Sequence, residues 1–289
     1  MMQRLVLFLF LLITVPVYAQ EHVDVEALFV KLVQQVRSPS FDSTAYAKVY
    51  ETVHLNREKR QVKINTLAPK KKELSRNELY KTNKPNVYRF VKIFRHPQNN
   101  SRMIENVATA FPISEDGFFC VNQHMVELWN AGSGDPNAVD RSVQYFLADY
   151  DGNMLSIDSV CSYNELSDVA IIKADTKGKK IAAFSLGDDV ETGDDVFIIA
   201  HPRAYLYYFS AGMVNRITQS RNDIYSRKME ISADYAGGSS GGPTFDNKGN
   251  IVGMVSLTQS FYYNTKEQKN LQMVVKQAIP VSVIKAFIK

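Results

Sequence analysis

Seven consecutive residues, Gly237-Gly238-Ser239-Ser240-Gly241-Gly242-Pro243, hold four glycines and two serines, a composition that a strand does not need. Glycines there let the backbone take positive-φ conformations and let another chain come close. A serine at the centre of such a turn is exposed, with backbone N–H groups free to point at one spot. An acyl-transfer nucleophile with an oxyanion hole requires that arrangement, although a plain Gly/Ser loop has the same composition. The nucleophile needs a base. Of five histidines, His22 and His54 lie in an N-terminal extension, His96 in a Pro/Asn loop and His201 beside Pro202. His124 instead follows the apolar stretch Phe118-Phe119-Cys120-Val121 after Asn122-Gln123, where the end of a rigid strand can aim it. The base needs an orienting carboxylate. Asp168 directly precedes Val169-Ala170-Ile171-Ile172, a buried-looking strand at whose boundary a carboxylate can meet imidazole in a dry site. Asp149, Asp151, Asp188 and Asp189 sit in turn sequences that they cap or solvate. The run from Asp149 to Asn153 fails as a calcium loop, because its glycine is misplaced and no Glu follows at the twelfth position.

Positioning such residues takes a scaffold, and the chain beyond residue 85 supplies strands. Residues 87–94, 107–113, 118–121, 143–148, 154–162, 169–173, 196–200, 210–217, 251–257 and 271–275 read as short strands. Turn sequences such as Asp151-Gly152-Asn153 and Asn247-Lys248-Gly249-Asn250 separate them. Many short strands at regular spacing indicate an all-β sandwich or barrel. Pro280 followed by Val283, Ile284, Phe287 and Ile288 suggests a closing helix. The extension is different. Val25, Leu28, Phe29, Leu32, Val33 and Val36 recur at helical spacing, which predicts an amphipathic helix. Residues 56–84 carry ten Lys or Arg against three Glu and read as a solvated basic linker. Tyr80 is the single aromatic there, too few for a base-stacking platform, so no nucleic-acid partner is expected.

Composition narrows the class. The 289 residues are 45% hydrophobic, with 34 Lys and Arg against 30 Asp and Glu, which excludes collagen-like and wholly disordered chains. The net charge of +4 is too mild to argue for nucleic acid by itself. The first nineteen residues read as a secretory signal peptide: Arg4, an apolar run over 5–17, and Val17-Tyr18-Ala19 before a cut at Gln20. No later stretch reaches the ~18 apolar residues of a membrane span. An exported product without a stable span is expected, periplasmic or secreted, its oligomeric state open. Two cysteines, Cys120 and Cys161, exclude a disulfide-dense scaffold and a four-cysteine zinc site. An oxidising compartment permits them to pair, yet each lies in an apolar strand where a free cysteine acts as a small hydrophobe.

The order His124, Asp168, Ser240 is that of chymotrypsin, distinct from the subtilisin and α/β-hydrolase orders. With it, the sequence resembles the trypsin-like serine peptidases. Residues 108–117 (Ala-Thr-Ala-Phe-Pro-Ile-Ser-Glu-Asp-Gly) through His124-Met125-Val126, Ser167-Asp168-Val169-Ala170-Ile171-Ile172-Lys173 and Ser185-Leu186-Gly187-Asp188 look like the first barrel of bacterial members. Ser210-Ala211-Gly212-Met213-Val214, the run from Ala233 to Pro243, and Val252-Gly253-Met254-Val255-Ser256 look like the second. The likeness covers about residues 85–289 and is strongest to the high-temperature-requirement proteases and their relatives lacking PDZ domains.

The resemblance implies an all-β fold of two six-stranded antiparallel barrels with a C-terminal helix and a partly helical N-terminal extension. It divides the chain into a signal peptide (1–19), an extension (20–84) and a protease domain (85–289). It implies catalysis by His124, Asp168 and Ser240, an oxyanion hole from the N–H groups of Gly238 and Ser240, and no metal or cofactor. Ser256 would stand near the triad carboxylate and beside the substrate pocket. Asp234, six residues before the nucleophile, stands where trypsin carries the acid of its specificity pocket, which would favour cleavage after Lys or Arg. Three departures are visible. Ala108 and Ala110 flank Thr109 where relatives often have glycine. Ser239 replaces the aspartate that receives a freed N-terminus in trypsin, so activation by that route is not expected. The chain stops after the closing helix, leaving no room for a C-terminal PDZ domain. The expected function is an exported serine endopeptidase acting on proteins or peptides. A catalytically silent binding or chaperone module on the same scaffold is the alternative, and an esterase would share the triad chemistry.

Overall fold

The computed structural model describes residues 22–52, 61–127, 143–203 and 205–289; the expected signal peptide and His54 lie outside them. Among the described residues, twelve strands form two closed antiparallel barrels. The first consists of β1 (Tyr88–Arg95), β2 (Arg102–Pro112), β3 (Phe118–Val121), β4 (Gln144–Ala148), β5 (Met154–Asn164) and β6 (Val169–Ala174). They are hydrogen-bonded in the order β1-β2-β3-β6-β5-β4. The second consists of β7 (Asp195–Ala200), β8 (Tyr208–Thr218), β9 (Lys228–Ile231), β10 (Pro243–Phe245), β11 (Ile251–Asn264) and β12 (Lys269–Pro280), in the order β10-β11-β12-β9-β8-β7. Closure pairs the strands on both sides over much of their length and leaves a free edge only where a long strand such as β11 outruns its neighbour. The short β9 and β10 escape a sequence reading: Lys228-Met229-Glu230-Ile231 and the three residues of β10 show no run of apolar residues like that which marks the equally short β3.

The uninterrupted apolar runs of β3 and β6 have a structural cause. Phe119, Val121, Ala170 and Ile172 point into the first barrel, while Cys120, Val169 and Ile171 join a second core shared with Phe197, Phe245 and Met254 of the other barrel. Strands buried on both faces lose the alternation of a half-buried strand. Helix α4 (Val281–Lys285) closes this shared core with Val281, Val283 and Ile284, and Pro280 ends β12 immediately before it. Cys120 and Cys161 are both free; burial pushes the Cys120 thiol well above its ordinary value, and its sulfur rests 3.6 Å from that of Met254.

The extension is built onto the barrels. Helix α1 (Val25–Arg37) is capped by Asp24, whose carboxylate accepts from the Ala27 N–H at 2.9 Å. It buries Leu32 and Val36 against Val91, Ile93, Ile104 and Phe146. Among its described residues the segment read as a basic linker exposes its charges except at Lys84, which is buried with its ammonium over the Tyr150 ring, and its backbone is stitched to the second barrel. Val62 N–H donates to Phe287 O and Lys289 N–H returns to Val62 O, at 2.8 and 3.0 Å, and Leu74 N–H donates to Asn247 O at 2.8 Å. The Asn250 amide accepts from Lys70 N–H and donates to Lys70 O. Helix α2 (Arg76–Asn83) follows, capped reciprocally by Ser75 and Glu78, and buries Leu79 in the shared core. Charge count alone misses this, because Ile64 and Leu79 and the backbone donors do the anchoring. No helix among the described residues is long and apolar enough to cross a membrane.

Candidate active site

Antiparallel register brings the first pair of candidate residues together. Val121 of β3 lies opposite Ala170 of β6, so the chain just after β3 meets the chain just before β6. Asn122 leads there into the short helix α3 (Gln123–Glu127), whose second residue is His124. Asp168 holds φ +60°, a left-handed conformation uncommon outside glycine, Asn and Asp, and the contacts around it fix it there. Its carbonyl accepts from the Gln123 N–H and the Asn122 amide, both at 3.1 Å. Its carboxylate is saturated. Oδ1 stands 2.8 Å from His124 Nδ1 and accepts from the His124 backbone N–H at 3.1 Å. Oδ2 accepts from Ser256 Oγ at 2.6 Å and from Asn122 Nδ2 at 3.1 Å. The imidazole is thereby held at one ring nitrogen, with the other left for chemistry, and it remains 38% exposed towards the cleft.

Ser240 is carried by the loop between Tyr235 and β10. Within it, Ser239 N–H donates to Ala236 O, Gly241 N–H to Val255 O and Gly242 N–H to Ser239 O. The N–H groups of Gly238 and Ser240 donate to nothing among the described residues. Gly238 has φ +94°, and a Cβ on it would come within 2.6 Å of His201 O and 2.8 Å of Arg203 N, so only glycine fits. No hydrogen bond joins Ser240 to His124 among the described residues; such catalytic contacts often tighten only when substrate is bound.

Thr109 of β2 clamps this loop from the other barrel. Its N–H donates to Ser240 O at 2.8 Å, its hydroxyl donates to Gly238 O at 3.0 Å, and the same oxygen accepts from the His201 N–H at 3.1 Å. His201 is fully buried and its Nδ1 accepts from the Tyr207 N–H; burial, and then the Arg89 guanidinium, push its pKa down to about 3. It is a neutral packing residue. Thr109 and Asn122 were not singled out from sequence as site residues. The sequence offers only a hydroxyl between two alanines in an apolar run; the structure buries all three completely, and a buried hydroxyl needs a partner. Thr109→Val should cost ~1–3 kcal/mol of stability, because it strands both the Gly238 carbonyl and the His201 N–H. Urea unfolding measures it, and an unchanged midpoint would deny the clamp.

Asp234 makes no hydrogen bond to these residues among the described ones; its carbonyl accepts from the Ser210 hydroxyl. Its side chain is 76% exposed and ion-paired with Lys276 Nζ at 2.5 Å. The chain's own lysine thus meets the charge of this exposed carboxylate, which lines a shallow pocket with Pro202, Tyr205 and Tyr208. Ser256 is engaged by Asp168 instead of facing a pocket as a free hydroxyl. Beside Asp234, the Tyr235 hydroxyl lies 2.9 Å from both Leu257 O and Gln277 O and ties β11 to β12.

Comparison with known proteins gives concordant matches. A family model described as a trypsin-like peptidase domain matches residues 108–254. The chain is 28% identical over 165 residues to a probable periplasmic serine endoprotease DegP-like of Ectopseudomonas mendocina, covering 56% of this chain and 31% of that protein. It is 24% identical over 188 residues to Protease Do-like 5, chloroplastic, of Arabidopsis thaliana, covering 63% and 55%. The chain thus spans about a third to about half of the length of these curated relatives. Among solved structures, one titled "HtrA-type protease AlgW with decapeptide" superposes with a TM-score of 0.55 at 19% identity, covering 74% of this chain and 66% of that one, a likeness of fold.

Proposed function

Because the chain belongs to the trypsin-like peptidase family, we propose that it is a serine endopeptidase, exported by residues 1–19, with residues 85–289 as its catalytic domain. Ser240 Oγ attacks the carbonyl carbon of a peptide bond while His124 Nε2 takes its proton. Asp168, held at Nδ1, fixes the tautomer and stabilises the imidazolium that forms. The carbonyl oxygen becomes an oxyanion received by the N–H groups of Gly238 and Ser240; one such donor is typically worth ~2.7–4 kcal/mol in the transition state. His124 returns the proton to the departing amine, leaving an acyl ester on Ser240. Water, activated by the same imidazole, hydrolyses that ester. The observation that carries this reading is the Asp168 carboxylate, which receives both the backbone N–H and the ring of His124 on a single oxygen.

An extended peptide has a place to lie. Beyond Val255, β11 is paired by β12 on one side only among the described strands, and its other edge can accept an added strand. A decapeptide also accompanies AlgW, the HtrA-type protease whose fold this chain shares.

The test is a fluorophosphonate probe applied to the folded chain beside Ser240→Ala, with the adduct mapped by mass spectrometry. A label on Ser240, absent from the variant, is expected. Absence of label on folded protein would overturn the enzyme reading in favour of a binding module.

A further inference from the structure

Helix α1 leaves part of its apolar face open although it is firmly docked. Leu32 and Val36 are completely buried, yet Val25 is 40% and Phe29 47% exposed. The docking is specific: Gln35 Nε2 donates to Gly152 O at 2.9 Å, Arg37 Nε donates to Arg102 O at 3.0 Å, and Lys31 reaches Asp151 O. The open end of the helix forms one wall of a groove of about 870 Å³. Val91, Ile104 and Val107 of the first barrel and Leu206 of the second complete its apolar surface, and it ends at Gly238. Its charged members are two acids, Glu26 and Glu105, and two bases, Arg89 and Arg203, so their formal charges cancel.

We propose that this groove is a substrate subsite: it takes an apolar side chain from the half of the peptide that departs as the amine. The inference rests on the endopeptidase reading above. Its occupant follows from continuity. A carbonyl received by the Gly238 N–H has one half of the peptide on each side of it. The free edge of β11 serves one half, and the groove shares no residue with β11. The groove begins at Gly238 itself and therefore serves the other half. With the acyl half paired along β11, the leaving half runs between β2 and α1. The N-terminal extension is on this account part of the binding site.

The experiment uses the full chain carrying Ser240→Ala, so that peptides bind without being cut. Two labelled peptides share an acyl half and differ by Leu or Gly at the second residue after the scissile bond. Anisotropy should show the Leu peptide binding about tenfold tighter. Phe29→Ala on the same background should bring the two within about twofold. Val30→Ala, exposed on the same helix but outside the groove, should preserve the preference. Equal affinities in the unsubstituted groove, or a preference that survives Phe29→Ala, would overturn the proposal. Turnover of the same peptides by the native chain is read separately. Preference without turnover keeps the groove and defeats the peptidase reading, whereas turnover without preference does the reverse.

Discussion

Asp168→Asn is expected to lower kcat for peptide hydrolysis about 10⁴-fold while the barrels stay folded. Four donors converge on the native carboxylate, two on each oxygen. An amide keeps one acceptor oxygen and adds an NH₂ group. If the NH₂ faces His124, it donates to Nδ1 and drives the ring proton to Nε2, where the imidazole can no longer take a proton from Ser240. If it faces the other way, it meets the NH₂ of Asn122, and only the Ser256 hydroxyl can turn round to accept from it. Either orientation loses the charge that stabilises the imidazolium. The backbone confuses nothing here, because Asn tolerates the φ of +60° found at this position. Circular dichroism would confirm folding, and steady-state kinetics would give kcat. Retention of more than about a tenth of native activity would place the carboxylate outside the machinery.

The pairing of His124 with Asp168 was legible in the sequence because it follows from strand register. Two apolar runs, each buried on both faces, had to be core strands, and a polar residue just beyond the end of each had to lie at the rim. Antiparallel pairing of Val121 with Ala170 puts those ends side by side. The glycine run was legible for a related reason: positive φ and close approach leave few alternatives to glycine. Other features carried no such signal. The basic stretch reads as a linker because charge dominates its composition, while its anchoring rests on backbone hydrogen bonds that any sequence can make. The partner of Asp234 is Lys276, forty-two residues away on β12, and no local pattern announces that ion pair. The overhang of α1 is invisible for the opposite reason. Periodicity marks Val25, Phe29, Leu32 and Val36 as one face, but only tertiary packing decides that half of it docks and half stays open.

Gly241→Ala should reduce kcat/KM by about 10²–10³, the range seen when an oxyanion donor is lost. The residue has φ +78°, and a Cβ there would stand 2.1 Å from Thr109 O, backbone that cannot rotate away. Normal carbon contacts need roughly 3.5 Å, so the loop must lift from β2 by more than an ångström. Lifting it breaks the Thr109 bonds to Ser240 O and Gly238 O, and the N–H groups of Gly238 and Ser240 then lose their common aim. Left-handed backbone by itself costs an alanine ~1–2 kcal/mol, and that contribution can be separated. Gly178 has φ +72° with nothing within 4 Å of its virtual Cβ, so Gly178→Ala carries the strain without the collision. Both variants should lose stability in urea, but only Gly241→Ala should lose turnover. Equal activity in the two would mean that the contact between β2 and the nucleophile loop does not set the aim of the oxyanion donors.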